Sequence, residues 1–167
     1  MMNGICLLIM LSTFILGAAA SGQIKKGDSE IDFVGSLNHI SGGDETSATA
    51  FQLVAGGGHF FVEWVEIGAN FSLTKYEGVD AFGTVSGFLS LYPKIEKSDK
   101  IAHFIGVQYG HAYGMGDSPT IHGAYCGTKI FVSTGAAITL QPYYSRYEYS
   151  HGGVDTYGVL TGISIFF

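Results

Sequence analysis

Residues 65–76 read VEIGANFSLTKY, and this stretch decides the fold. Val65, Ile67, Ala69, Phe71 and Leu73 fall on one phase of an alternation. Glu66, Gly68, Asn70, Ser72 and Thr74 fall on the other. A period of two marks a strand with one apolar face, because successive side chains point to opposite sides. The polar phase consists of small residues with a single acid. That composition suits a packed enclosure better than a water-facing sheet, which would carry many charges.

The same alternation runs outward in both directions. In residues 101–113, Ile101, Ile105, Val107, Tyr109 and Tyr113 oppose Ala102, Gly106, Gln108, Gly110 and Ala112. In the last stretch, Tyr157, Val159, Thr161, Ile163, Ile165 and Phe167 oppose Gly158, Leu160, Gly162, Ser164 and Phe166. Eight strands are predicted, at 29–40, 47–62, 65–77, 82–94, 100–113, 121–133, 136–150 and 155–167. Their connections alternate in kind. Those at Glu63-Trp64, Glu96–Asp99 and Thr134-Gly135 are tight. The others are rich in glycine and acid: SGGDETS at 41–47, EGVDAFG at 77–83, MGDSPT at 115–120 and SHGGVD at 150–155.

Short turns at one end and longer loops at the other are the plan of an outer-membrane barrel. Lipid cannot satisfy a free strand edge, so a membrane-spanning sheet must close on itself. The expected fold class is therefore all-β: an eight-stranded antiparallel up-and-down transmembrane barrel with short periplasmic turns. A lumen of this size is filled by side chains. Nine tyrosines map to the loop end: Tyr76, Tyr109, Tyr113, Tyr125, Tyr143, Tyr144, Tyr147, Tyr149 and Tyr157. Phe60, Phe61, Trp64, Tyr92, Phe131 and Phe167 map to the turn end. Both sets are expected to form interfacial girdles. The general preference of aromatics for strands does not sort them by end.

Composition narrows the class further. Charged residues make up 13% of the 167, about half the usual soluble share. The net charge of -6 without a basic cluster argues against nucleic-acid binding. Aromatics at 14% exclude a disordered chain. Residues 1–20, MMNGICLLIMLSTFILGAAA, carry no charged side chain and end in Ala18-Ala19-Ala20, as a cleaved signal peptide does. The expected division is a leader at 1–20 and a barrel domain at 21–167, located in the outer membrane. Cys6 leaves with the leader, and Cys126 is read as a small apolar residue.

The chain resembles the small eight-stranded outer-membrane barrel family of the OmpX and OmpA transmembrane-domain type. The leader carries part of that likeness. So does the hairpin FQLVAGGGHFFVEWVEIGANFSL at 51–73, and so does the C-terminal GISIFF at 162–167. Gly162, Ile163, Ile165 and Phe167 are similar to the signal read by the barrel-assembly machinery, although Leu160 stands where a polar residue is usual. The resemblance implies architecture far more than activity. It also implies outer-membrane lipid and lipopolysaccharide as surroundings, and a monomer.

Among candidate functional residues, Glu66 and Lys129 fall on the interior phase, where a charge needs a partner. They are expected in a polar network with Asn70, Gln108 or Gln141. Asp44, Glu45, Glu77, Asp80, Asp117 and Asp155 are expected in acidic extracellular loops, open to weak cation binding or an unidentified basic partner. No loop has EF-hand spacing. His39, His59, His103, His111, His122 and His151 form no metal-ligand pattern. Lipid A deacylases carry His-x-Ser late in the chain. Here His39-Ile40-Ser41 lies early, and Ser150-His151 with Glu148 and Asp155 has another order. Residues 21–30 are too short and polar for the leading helix of a lipid A palmitoyltransferase. No catalytic residue, cofactor or metal is expected. The expected role is non-enzymatic: envelope structure with adhesion-like surface contact. A narrow gated pore is the alternative, and a soluble lipocalin-like barrel with inverted faces is the fold alternative.

Overall fold

The computed structural model describes residues 24–41, 47–78, 80–93, 100–114, 118–150 and 152–167. The expected leader at 1–20 lies outside them. Eight strands follow in order: β1 (Ser29–Ser41), β2 (Ser47–Val62), β3 (Val65–Tyr76), β4 (Phe82–Leu91), β5 (Ile101–Tyr113), β6 (Thr120–Ser133), β7 (Ala136–Tyr149) and β8 (Gly152–Phe166). Each pairs antiparallel with the next, and β8 returns to β1, closing the barrel. β8 begins at Gly152, three residues before its predicted start. Gly153 pairs with Glu148, so glycines that read as loop extend the last hairpin instead.

The alternation of β3 becomes two surfaces. Glu66, Ser72 and Thr74 are buried, while Ile67, Phe71 and Leu73 are each 48% exposed. Phe71 stands between Ala55 on β2 and Val85 on β4 in the ladder. Phe33, Leu53, Val107, Leu140 and Ile163 continue this outward apolar surface round the barrel. Such a belt is far larger than the apolar patch a water-soluble monomer tolerates.

The interior is filled by pairing large side chains with glycines on neighbouring strands. Glu66 lies across Gly58, Phe88 across Gly68, Tyr125 across Gly106 and Phe104 across Gly127. A Cβ at any of these glycines would strike the side chain above it. Small-beside-large packing is how a narrow barrel fills its lumen.

Near the tight turns the interior is a chain of rings. Phe131 meets Phe166 at 5.1 Å, Phe166 meets Phe60 at 6.3 Å, and Phe60 meets Tyr92 at 5.1 Å. Tyr92 continues to Phe104 at 5.5 Å, and Phe104 to Tyr125 at 6.1 Å. The segment before β1 closes over this layer. Ile24 is buried, and the Gly27 N–H donates to the Phe60 carbonyl at 2.8 Å. Gly27 has φ +94°, a turn conformation that costs glycine nothing.

This corrects the expected girdles. Phe60, Tyr92 and Phe131 point into the barrel, whereas Phe61, Trp64 and Phe167 point out. At the other end Tyr109, Tyr113, Tyr144 and Tyr157 are outward. Tyr143 and Tyr147 are buried inside, Tyr125 belongs to the ring layer near the turns, and Tyr76 and Tyr149 pack against a second inner cluster with Phe82 and Ile121. Position along the strand sets the end of the barrel. Parity alone sets the side.

The ladders differ in extent. β7 and β8 pair from Ala136↔Ile165 to Tyr149↔Gly152. β1 and β8 pair only from Glu30↔Phe166 to Gly35↔Thr161. Gly162 lies in this seam, where a Cβ would strike the Phe33 carbonyl. Ile163, Ile165 and Phe167 alternate outward beside it.

Candidate functional site in the barrel interior

Just above the aromatic layer lies a cluster of buried charge. Lys129 sits on the inward phase of β6, between Gly127 and Phe131. Its ammonium pairs with Glu30 on β1, lies 3.5 Å from Asp32 Oδ1, and donates to Ser164 Oγ on β8 at 3.3 Å. Three rings surround it, with centroids 5.3 Å away at Phe104, 5.5 Å at Phe166 and 5.9 Å at Tyr92. Ring faces are electron-rich, so they offset part of the ammonium's desolvation. Ser164 donates to Asp32 and shares a 2.5 Å hydrogen bond with Thr139 of β7.

Glu66 reaches this cluster from β3. It is 1% exposed and accepts from the Tyr92 hydroxyl through Oε2 at 2.9 Å. One oxygen from each of Glu30, Asp32 and Glu66 lies within 4.8 Å of the others. Nearby, Ser90 and Tyr125 share a 2.9 Å hydrogen bond.

Lys129, Glu66, Asn70, Gln108 and Gln141, expected in one interior polar network, line a single cavity. The direct partners are others: Glu30 and Asp32 for Lys129, and Tyr92 for Glu66. The amides line the cavity further along the axis, where Gln108 Nε2 donates to Ser145 Oγ at 2.9 Å. An ammonium taken out of water is better matched by carboxylates than by amides. The signal for Glu30 and Asp32 was present, because they share a phase with Val34 opposite Ile31 and Phe33.

A cavity of about 50 Å³ runs from Asp32, Glu66 and Lys129 past Asn70 and Gln108 to Tyr147. A water needs about 10–15 Å³ on this measure, so the space suits a few waters or an ion. A smaller cavity of about 20 Å³ lies between Tyr76 and Tyr157 at the loop end.

The remaining candidates scatter. Asp44, Glu45, Asp117 and His151 lie outside the described residues. Glu77 and Asp80 are exposed. Asp155 is not a loop residue: it stands in β8 opposite Arg146, whose Nη1 donates to it at 2.9 Å. The Tyr144 hydroxyl donates to the same oxygen at 2.8 Å. Two histidines near the turn end share hydrogen bonds with hydroxyls across a ladder: His59 with Ser29 at 3.2 Å and His103 with Thr128 at 2.8 Å. Cys126 is buried on β6.

No protein-family model and no curated protein matches the sequence. Among solved structures, the N-terminal β-barrel domain of Pseudomonas aeruginosa OprF superposes with a TM-score of 0.60 at 12% identity. The match covers 85% of this chain and 98% of that one. With its closed ring of eight antiparallel strands and its outward apolar belt, the chain has the fold of a small outer-membrane barrel.

Proposed function

We propose that the chain is a non-enzymatic, monomeric outer-membrane protein. It is exported through its leader and inserted with the acidic loops outward. Its role is envelope structure, with surface contact through those loops. The observation that carries this reading is the pairing of a continuous apolar exterior with a lumen filled by rings and ion pairs. A barrel built this way spends its interior on rigidity. Outer-membrane lipid and lipopolysaccharide surround it, and Gly162, Ile163, Ile165 and Phe167 serve the assembly machinery.

The test is to fold residues 21–167 into lipid and compare unboiled and boiled samples on SDS gels. A mobility shift is expected, followed by silence in planar bilayers. Loss of the shift, with solubility in the absence of detergent, overturns the membrane reading.

A narrow pore is the second reading, favoured by the polar cavity between Asp32 and Tyr147. Steady single-channel conductance would select it. Lipid A modification has less support, since Asp155 is engaged by Arg146 and Tyr144. Unchanged lipid A masses in cells with and without the protein are expected.

A further inference from the structure

Three acids and one base meet in the barrel interior, and the sum does not cancel. Glu30, Asp32 and Glu66 bring three carboxyl groups; Lys129 brings one ammonium. Glu30 and Glu66 are each 1% exposed. Lys129 engages Oε1 of Glu30. The other oxygen of that carboxylate, Oε2, is buried without a hydrogen-bond partner. Glu66 is the same case: Tyr92 takes Oε2, and Oε1 is buried without one.

Gly58 brings the two orphaned groups together. It pairs with Glu30 across the β1–β2 ladder, and Glu66 Oε1 occupies the place a side chain at Gly58 would take. Glu66 therefore leans over β2 toward β1. Leaving buried carboxylate oxygens unmatched is costly, and a ligand of positive charge removes that cost.

We propose that Glu30, Asp32 and Glu66 form a buried binding site for one divalent cation of calcium size. With all three carboxyl groups ionised, the cluster carries two negative charges beyond the one Lys129 cancels, and one divalent ion balances them. The donors are all oxygen, the choice of hard cations rather than zinc or copper. Calcium takes oxygens at about 2.3–2.6 Å, so it bridges ligands up to about 5 Å apart, whereas magnesium at about 2.1 Å spans only about 4.2 Å. The three oxygens lie within 4.8 Å of one another, inside the reach of calcium, whose flexible shell accepts several carboxylates where magnesium keeps most of its waters. The adjoining cavity has room for the waters that complete its shell. Lys129 then holds two of the acids in place from one side while the ion joins them to the third. Glu66 stands at the start of β3 and Glu77 beyond its end, so the site is apart from Glu77 and Asp80, and it does not depend on the role proposed above.

The test uses the folded mature protein in detergent, stripped with chelator and then titrated with calcium or terbium. Bound terbium should luminesce through Tyr92, whose hydroxyl contacts Glu66, and calcium should compete at one ion per chain. Glu66→Gln should weaken binding by about tenfold or more while preserving the heat-modifiable gel shift. The double variant Glu77→Gln/Asp80→Asn should bind as the parent does. If Glu66→Gln fails to fold, Asp32→Asn, at a partly exposed side chain, takes its place. Absence of stoichiometric binding by the parent protein overturns the proposal. So does binding that survives Glu66→Gln and disappears in the loop variant.

Discussion

The two ends of the barrel solve the same filling problem differently. Toward the tight turns, the lumen is closed by consecutive ring contacts from Phe131 to Tyr125, sealed by Ile24 and tied by Lys129 of β6 to β1 and β8. Toward the loops it holds a smaller cluster of Phe82, Ile121 and Tyr147, with half-buried Tyr76 and Tyr149 and a cavity beside them. One end is bound by groups that leave water completely. The other uses tyrosines that keep a polar tip available. Ring packing and ion pairing are concentrated where β1 meets β8, and half-buried tyrosines where β3 and β7 end.

Several substitutions would break or sharpen that contrast. The largest effect is expected for Lys129→Met, which strands Glu30 and Asp32 in the interior. Its cost should be about 3–5 kcal/mol in urea unfolding from lipid vesicles, and Glu30→Gln in the same chain should recover part of it. Phe60→Ala follows closely, at about 3–5 kcal/mol, because Phe60 is fully buried and bridges two rings. Its loop-end counterpart, Tyr76→Ala, should cost only about 1 kcal/mol, since Tyr76 is half-buried to begin with. Equal losses for these two would abolish the contrast. Gly106→Ala should cost about 1–3 kcal/mol by driving a methyl into Tyr125, and Tyr125→Val should relieve part of the strain. The smallest effect belongs to Asp155→Asn. The ion pair with Arg146 is exposed, and the unfolding midpoint should not move measurably.

Much of this architecture is legible along the chain. The alternation at Val65–Tyr76 sets strand and phase together, and the glycine- and acid-rich connections separate one end from the other. Parity places Glu66 and Lys129 inside. What a local pattern does not carry is who faces whom across the lumen. Lys129 on β6 and Glu30 on β1 are 99 residues apart and sit on strands that are not ladder neighbours. Their meeting depends on closure and stagger of the whole sheet. The aromatic floor was obscured for a related reason. Phe60 and Phe61 share an end of the barrel, yet adjacency sends one inside and the other out. Asp155 ends the glycine-containing run SHGGVD, which has the composition of a connection, whereas Gly153 in fact pairs with Glu148 and lengthens the hairpin.

The short seam between β1 and β8 has a kinetic consequence. Every other ladder joins strands adjacent in the chain, but Val34↔Gly162 brings together residues from opposite ends of it. Closing so long a loop is entropically slow, and the few ladder bonds available repay it late. The hairpins therefore assemble before the ring does. Until the seam zips, β1 and β8 each present an unpaired edge, the form in which a strand is most open to pairing with the wrong chain. The contacts of Ser164 on β8 with Asp32 on β1 and Lys129 on β6 span that seam, so the buried cluster is complete only once the ring has closed.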